Sequence, residues 1–214
     1  MVILALFFYL FPALAFVTTN SNKVYNFKLP VPYPKVVRVI LLFFIFYFLF
    51  SIFQLWYSDT LFARAEKASD LGMVGRAYNL LIEASNLNPL EPLYRSELGL
   101  AAAAAGETLT ETDATSSADL KKQAVNQTSR VLQQNPRNTS FWRTAVRTYA
   151  ELGDLEGALS ALDQTIKLAP TDPKLYYNKG LVLQQMGQSQ EAQAAFKKAV
   201  ELKPNYQEVL NEIN

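Results

Sequence analysis

Apolar positions in the C-terminal half of the chain follow a helical spacing and recur in blocks of 34 residues. Residues 139–172 read TSFWRTAVRTYAELGDLEGALSALDQTIKLAPTD, and residues 173–206 read PKLYYNKGLVLQQMGQSQEAQAAFKKAVELKPNY. In register, aromatic, small and turn-forming residues occupy the same columns of both blocks. Self-similarity at a fixed period of this length indicates stacked supersecondary units.

Three columns have a clear structural purpose. A glycine separates two helical runs in each block, where the turn requires a residue that tolerates positive φ. A small alanine early in the second run allows close helix contact, and a proline ends that run because it cannot continue a helix. These columns hold Gly153 and Gly187, Ala158 and Ala192, and Pro170 and Pro204. The pattern predicts two antiparallel helices per block, with the next block stacked on them.

The period continues upstream. A block at 58–91 repeats the glycine and alanine columns, and residues 92–138 form a longer block of 47 residues. Its surplus of 13 residues at 107–119, ETLTETDATSSAD, lacks apolar periodicity and predicts a longer loop between helices. We interpret it as a surface insertion, with a ligand-binding loop as the alternative. Residues 207–214 predict a short capping helix.

The residues that define the repeat are small, aromatic or turn-forming in all four blocks. They are Gly72, Ala77, Pro89, Gly99, Gly106, Ala124, Pro136, Trp142, Gly153, Ala158, Pro170, Tyr176, Gly180, Gly187, Ala192, Phe196 and Pro204. This pattern resembles the tetratricopeptide repeat (TPR) family. The resemblance implies an all-α superhelical solenoid of about four helix hairpins that binds protein partners. Lys179 departs from it, because the family usually has an apolar residue in that column.

Two apolar stretches precede the repeats. Residues 1–17 carry no charge, and residues 39–57 are interrupted only by Ser51 and Gln54. As helices they would be roughly 25 and 28 Å long, close to the thickness of a bilayer core. We therefore predict transmembrane helices at 1–17 and 36–57. For the first stretch two alternatives stay open. It could be a signal peptide with its A-x-A site at 13–15, or part of a span that begins before residue 1, in which case the chain is the tail of a longer multi-pass protein.

The loop predicted at 18–35 is basic and rich in proline. The segment and its immediate continuation contain four basic residues, Lys23, Lys28, Lys35 and Arg38, and no acidic residue. Its alternating prolines favour extended backbone. The positive-inside rule places this loop in the cytoplasm and the repeats on the extracytoplasmic face. The expected location is a bacterial inner membrane. Ser58, the first residue of the first block, follows Tyr57 directly, and neither glycine nor proline interrupts this junction. The second span is therefore expected to run directly into the first repeat helix.

The second span together with residues 58–99 resembles the C-terminal end of bacterial O-antigen ligase/polymerase-like membrane proteins. The resemblance implies that this chain is the accessory tail of an envelope polysaccharide assembly enzyme whose catalytic part lies elsewhere. This is the alternative to a membrane-anchored protein-interaction scaffold.

The composition argues against catalysis within this chain. It contains no histidine and no cysteine, which removes the commonest general base, thiol nucleophiles and the nitrogen and sulfur ligands of metals. Glycine-rich phosphate-binding loops and calcium-binding loops are also absent from the sequence. A net charge of +1 gives no general attraction to nucleic acid. We predict a non-enzyme without cofactor, metal or nucleic-acid partner.

The candidate binding surface is the groove lined by the first helix of each block. Its predicted lining residues are Arg143, Arg147, Glu151, Lys174, Tyr177, Leu181, Gln184, Leu93, Ser96 and Leu100. Arg143 and Arg147 are four residues apart and so share one helical face. The TPR family often holds an acidic partner tail with basic residues at such positions, and this pair resembles that arrangement. The alternative is a solvated charged face.

Overall fold

The computed structural model describes residues 35–204, and these residues form eight helices and no strand. The helices are α1 (Lys35–Asp70), α2 (Val74–Leu87), α3 (Pro92–Thr108), α4 (Ala114–Gln134), α5 (Thr139–Glu151), α6 (Leu155–Leu168), α7 (Pro173–Gln185) and α8 (Ser189–Leu202). Over this range the all-α class and the predicted succession of helix hairpins are confirmed. The predicted span at 1–17 and the predicted cap at 207–214 lie outside the described residues.

The chain divides into two compact units, residues 1–48 and 49–214. In the first unit, every described residue from Val39 to Phe48 is exposed, although nearly all are large and apolar. Within residues 35–204, α1 is the one helix long and apolar enough to cross a bilayer, and its most apolar window of 18 residues is unburied. Helical structure continues through Tyr57 and Ser58, because no glycine or proline interrupts it.

The second unit contains the repeats, which are built around three similar glycine turns. Gly72, Gly153 and Gly187 have φ of 70°, 70° and 76°, as the sequence columns predict. In each turn the N–H after the glycine donates to the carbonyl five residues earlier, as in the bond from Asp154 to Tyr149. This arrangement pairs carbonyls at the end of one helix and directs the chain into the next.

The second block departs from this scheme. Gly106, one of the residues predicted to define the repeat, corresponds in position to Gly153, but α3 continues through it to Thr108. A Cβ at this position would lie 2.9 Å from Lys121 Cγ and 3.2 Å from the Ser117 carbonyl oxygen. Gly106 therefore permits close contact between α3 and α4 instead of forming a turn.

The predicted loop at 107–119 is also corrected. Only residues 109–113 separate α3 from α4. Asp113 caps α4 by accepting a hydrogen bond of 3.0 Å from the Ser116 N–H, and buried Ser117 Oγ donates to the Gly106 carbonyl at 2.7 Å. Capping and polar contacts stabilise these helical turns, so apolar periodicity does not reveal them.

The turns between blocks share a second device. The carbonyls of Pro89, Pro136 and Pro170 each accept a hydrogen bond from a side chain six residues later. The donors are Arg95, Trp142 and Tyr176, at distances of 3.1, 2.9 and 3.0 Å. Each bond joins the first turn of a first helix to the turn before it. The bonds thus hold the start of each groove-lining helix in place.

Small residues lie where helices cross. The predicted alanines Ala77, Ala158 and Ala192 are at most 2% exposed. The departure at Lys179 also has a physical explanation. Its Nζ lies 2.6 Å from Asp163 Oδ1 of α6, so an ion pair occupies the place of the usual apolar contact.

Candidate functional site

Two cavities lie between the first helices of successive blocks. The first, of about 110 Å³, is lined by α1, α2, α3 and α5, and the second, of about 230 Å³, by α5, α6 and α7 with the turn before α7. Both fall on the predicted groove. We name them the acidic cavity and the basic cavity after the side chains described next.

The basic cavity holds three cationic side chains above an apolar floor. Its polar lining residues are Arg143, Arg147, Lys174, Asn178 and Asp172. Its apolar residues are Val146, Leu162 and Leu175. Three positive charges against one carboxylate leave a local excess of positive charge, which favours an anionic group in the cavity.

Asp172 positions Arg143 in this cavity. Arg143 NH2 lies 2.6 Å from Asp172 Oδ2, and Asp172 Oδ1 also accepts a hydrogen bond of 3.0 Å from the Lys174 N–H. The carboxylate thus caps α7 and holds the guanidinium at the same time. Half of the Arg143 side chain is still exposed.

The acidic cavity has the opposite charge. It is lined by Glu66, Glu97 and Glu151, with Arg147 as the one cation among its lining residues, over apolar Leu100, Ala101, Ala104 and Phe62. Thr144 Oγ1 donates to Glu97 Oε1 at 3.2 Å. Burial raises the pKa of Glu97, and Glu66 adds in the same direction, while Arg147 and the Thr144 bond lower it. Arg147 therefore compensates these carboxylates only in part, and its charge is shared between the two cavities.

The three glutamates do not form a metal site. Within residues 35–204, no group of three or more acidic, histidine or cysteine side chains converges closely enough to hold an ion.

The structure brings together five of the ten predicted groove residues. Arg143, Arg147 and Lys174 line the basic cavity, and Leu100 and Glu151 line the acidic cavity with Arg147. Ser96 is a correction, because it is only 4% exposed and cannot contact a partner. Its helix, α3, packs against α2, α4 and α5, and Tyr94 of the same helix contacts α1.

The other four predicted residues lie away from both cavities. Tyr177 and Leu181 pack against the cluster around Phe196 of α8, so they support the last hairpin. Gln184 and Leu93 are exposed but line neither cavity. The predicted groove is therefore centred on α3, α5 and the start of α7.

Asn178 and Glu97 are lining residues that the sequence argument missed. Asn178 lies four residues after Lys174 on the same helix, so helical spacing alone could have identified it. Glu97 likewise lies four residues after Leu93 on its helix, but its contact with Thr144 joins residues 47 apart and has no local signal.

Comparisons with known proteins agree with this architecture. The family described as "Tetratricopeptide repeat" matches residues 173–206, and the one described as "TPR repeat" matches residues 147–187. The chain thus carries tetratricopeptide repeats in this region. Repeats of this kind are generally non-catalytic modules for protein interaction.

One curated relative matches part of the chain. The general transcriptional corepressor ssn6 of Schizosaccharomyces pombe is 32% identical over 85 residues. The match covers 39% of this chain and only 8% of the corepressor.

Solved structures with similar folds cover a larger share. MamA from Desulfovibrio magneticus RS-1 is 18% identical, with a TM-score of 0.53 over 69% of this chain and 76% of that one. A thermophilic TPR protein of Thermus thermophilus is 21% identical, with a TM-score of 0.52 over 69% of this chain and 75% of that one. These likenesses show a TPR-like solenoid fold. They do not support the resemblance to O-antigen ligases, which stays a prediction.

Proposed function

We propose that this protein is a membrane-anchored, non-catalytic scaffold that binds a segment of a partner protein in the groove between its first helices. The observation that carries the proposal is the basic cavity. Arg143, Arg147, Lys174 and Asn178 line a space of about 230 Å³. Such a space accommodates a carboxylate of the partner, which can accept bonds from guanidinium and amide donors together.

The apolar floor of the groove adds a second source of affinity. Val146 and the buried Leu162 and Leu175 line the basic cavity together with the charged residues. A partner segment that places an acidic side chain beside an aliphatic one would use both features. Charges of this kind select the partner and its register more than they raise the affinity.

The proposed anchor is α1. From Val39 to Phe50 its side chains are exposed, and an apolar surface of that size without a charged group is typical of a membrane or protein interaction site. The basic loop predicted before this helix favours a cytoplasmic start, which would put the repeats on the outer face of a bacterial inner membrane.

The groove is tested by affinity capture with the detergent-solubilised full chain as bait. Arg143→Glu/Arg147→Glu reverses two of the three cations of the basic cavity, so capture of acidic partners is expected to be lost through repulsion. The matched control is Arg130→Glu/Lys167→Glu, which makes the same change of charge at exposed positions on α4 and α6 that line neither cavity. Equal capture by both double variants would contradict the proposed groove.

The side of the membrane is tested separately by reporter fusions after Asn214. We expect an alkaline phosphatase fusion to be active and a green fluorescent protein fusion to be dark, because the repeats are proposed to be extracytoplasmic. The reverse pair of signals would place the repeats in the cytoplasm and leave the groove proposal unaffected.

A further inference from the structure

The turn between the first two blocks carries an apolar side chain that the equivalent turns lack. Leu90 follows Pro89 and is 91% exposed. The residues at the same place in the next two turns are Arg137 and Thr171, which follow Pro136 and Pro170. Exposure is common to this turn position, so the change from polar to leucine is specific to the first turn.

Hydrogen bonds and packing fix the level of this turn along α1. Gln54 Nε2 donates to the Leu87 carbonyl at 2.6 Å, at the end of α2. After the turn, Tyr94 of α3 donates to Asp59 and lies beside Ser58. Residues 88–91 are thus held near the level of Gln54 to Tyr57, within the unit that carries the repeats.

Other exposed apolar side chains lie at the same level. Phe53, Leu55 and Trp56 of α1 are 56%, 41% and 57% exposed, and Leu93 at the start of α3 is 39% exposed. Together with Leu90 they form what we name the apolar base: Phe53, Leu55, Trp56, Leu90 and Leu93. A tryptophan within such a group is typical of the boundary between membrane and water.

Several polar groups around the turn are paired, which lowers the cost of bringing it to lipid. The Pro89 carbonyl accepts from Arg95, and proline has no N–H to satisfy. The Asn88 carbonyl accepts from the Glu91 N–H at 3.3 Å, and the Asn88 N–H donates to Ala84. The Gln54 amide is paired with Leu87.

The length of the anchor points in the same direction. From Val39 to Tyr57 the helix is roughly 28 Å long at 1.5 Å per residue. That is close to a hydrocarbon core of about 30 Å, so a span that begins at Val39 would bring the level of Gln54 to Tyr57 to the boundary of the bilayer. No linker separates the span from the first block, because α1 is one helix from Lys35 to Asp70.

We propose that the apolar base contacts the bilayer, with Leu90 inserted at the boundary between headgroups and acyl chains. The first block would then rest on the membrane surface through the 88–91 turn as well as through α1. This inference rests on the proposed anchoring by α1 and adds a second point of contact. Because both α1 and the 88–91 turn would contact the membrane, the first block could not rotate freely in the membrane about the axis of α1.

Single-cysteine labelling tests this contact, because the chain has no cysteine of its own. Full-length Leu90→Cys, Arg137→Cys and Thr171→Cys are labelled with one polarity-sensitive fluorophore and reconstituted in phosphatidylcholine–phosphatidylglycerol vesicles. We expect blue-shifted emission at position 90, quenching by shallow nitroxide-labelled lipid and protection from aqueous iodide. The labels at 137 and 171 should behave as water-exposed.

Each other outcome overturns the inference and identifies what failed. If carbonate extracts the chain from the vesicles, anchoring by α1 is wrong, and the proposed contact of the apolar base is wrong as well. If the chain resists extraction but the label at 90 matches that at 137, anchoring stands and the contact is wrong. A label at 90 that is protected from iodide yet not quenched by nitroxide lipid would show that protein, such as a second copy of the chain, covers Leu90 instead.

Discussion

Replacing Tyr94 by alanine is expected to lower the free energy of unfolding of the repeats by about 3–5 kcal/mol, the usual cost of removing a large buried aromatic ring. Tyr94 is 2% exposed and packs with Leu61 and Ala84. Its ring stacks on Phe62 with centroids 5.1 Å apart. Because these contacts join α1 to α3, the loss falls on the interface between the first two blocks. In a stack of repeats, such interfaces supply much of the stability.

The phenol contributes less than the ring. Burial raises the pKa of Tyr94 to about 12, with the bond to Asp59 adding in the same direction, so the hydroxyl remains a donor at neutral pH. Asp59 is exposed, and water can replace the lost bond. Tyr94→Phe is therefore expected to cost only about 1 kcal/mol.

Urea unfolding of the full chain in detergent, followed by far-ultraviolet circular dichroism, measures both variants. Similar losses for Tyr94→Phe and Tyr94→Ala would mean that the hydrogen bond, and not the ring, joins the blocks. No measurable loss for either would show that α1 and α3 do not depend on this contact.

The last two blocks could be predicted closely from sequence because their signals are local. A turn that needs positive φ selects Gly153 and Gly187, and helices that cross closely select Ala158 and Ala192. Each requirement acts on a single residue, so the same residue type recurs at one position of the repeat. The departure of Lys179 from its column is explained only by its distant partner Asp163.

The second block was harder to predict because its helices depend on contacts between segments. The stretch after Gly106 contains mostly threonine, serine and acidic residues, which individually favour turns and caps. Asp113 does serve as a cap, yet Ser117 is buried and bonded to Gly106 across the hairpin. A polar residue buried in this way has no apolar periodicity to indicate a helix.

The groove shows the same limit. Arg143 and Arg147 could be identified as a pair because four residues separate them on one helix. Ser96 occupies a comparable helical position in its block, but the helices packed around α3 bury it. Whether such a position is exposed depends on which helices surround it, and that is a property of the assembled stack.

Phe196→Ala is expected to destabilise the last block by about 3–5 kcal/mol and to reverse the effect of a second substitution at Gly180. Phe196 is 7% exposed, and its ring lies so close to Gly180 that an added Cβ would overlap it. The ring cannot easily move, since it also packs on Tyr177 with centroids 5.7 Å apart. In the wild type, Gly180→Ala should therefore cost about 1–3 kcal/mol through overpacking.

With the ring removed, the same methyl group has space and a helical alanine is better than glycine by about 0.5–1 kcal/mol. Gly180→Ala should thus stabilise the Phe196→Ala variant, and urea unfolding of the four proteins of this double-mutant cycle would measure the change of sign. Gly75→Ala is the matched control, because nothing lies within 4 Å of its added Cβ and its effect should be alike in both backgrounds. If Gly180→Ala costs the same after removal of the ring, the glycine is needed for the backbone conformation of α7. Contact between α7 and α8 would then not depend on the small size of residue 180.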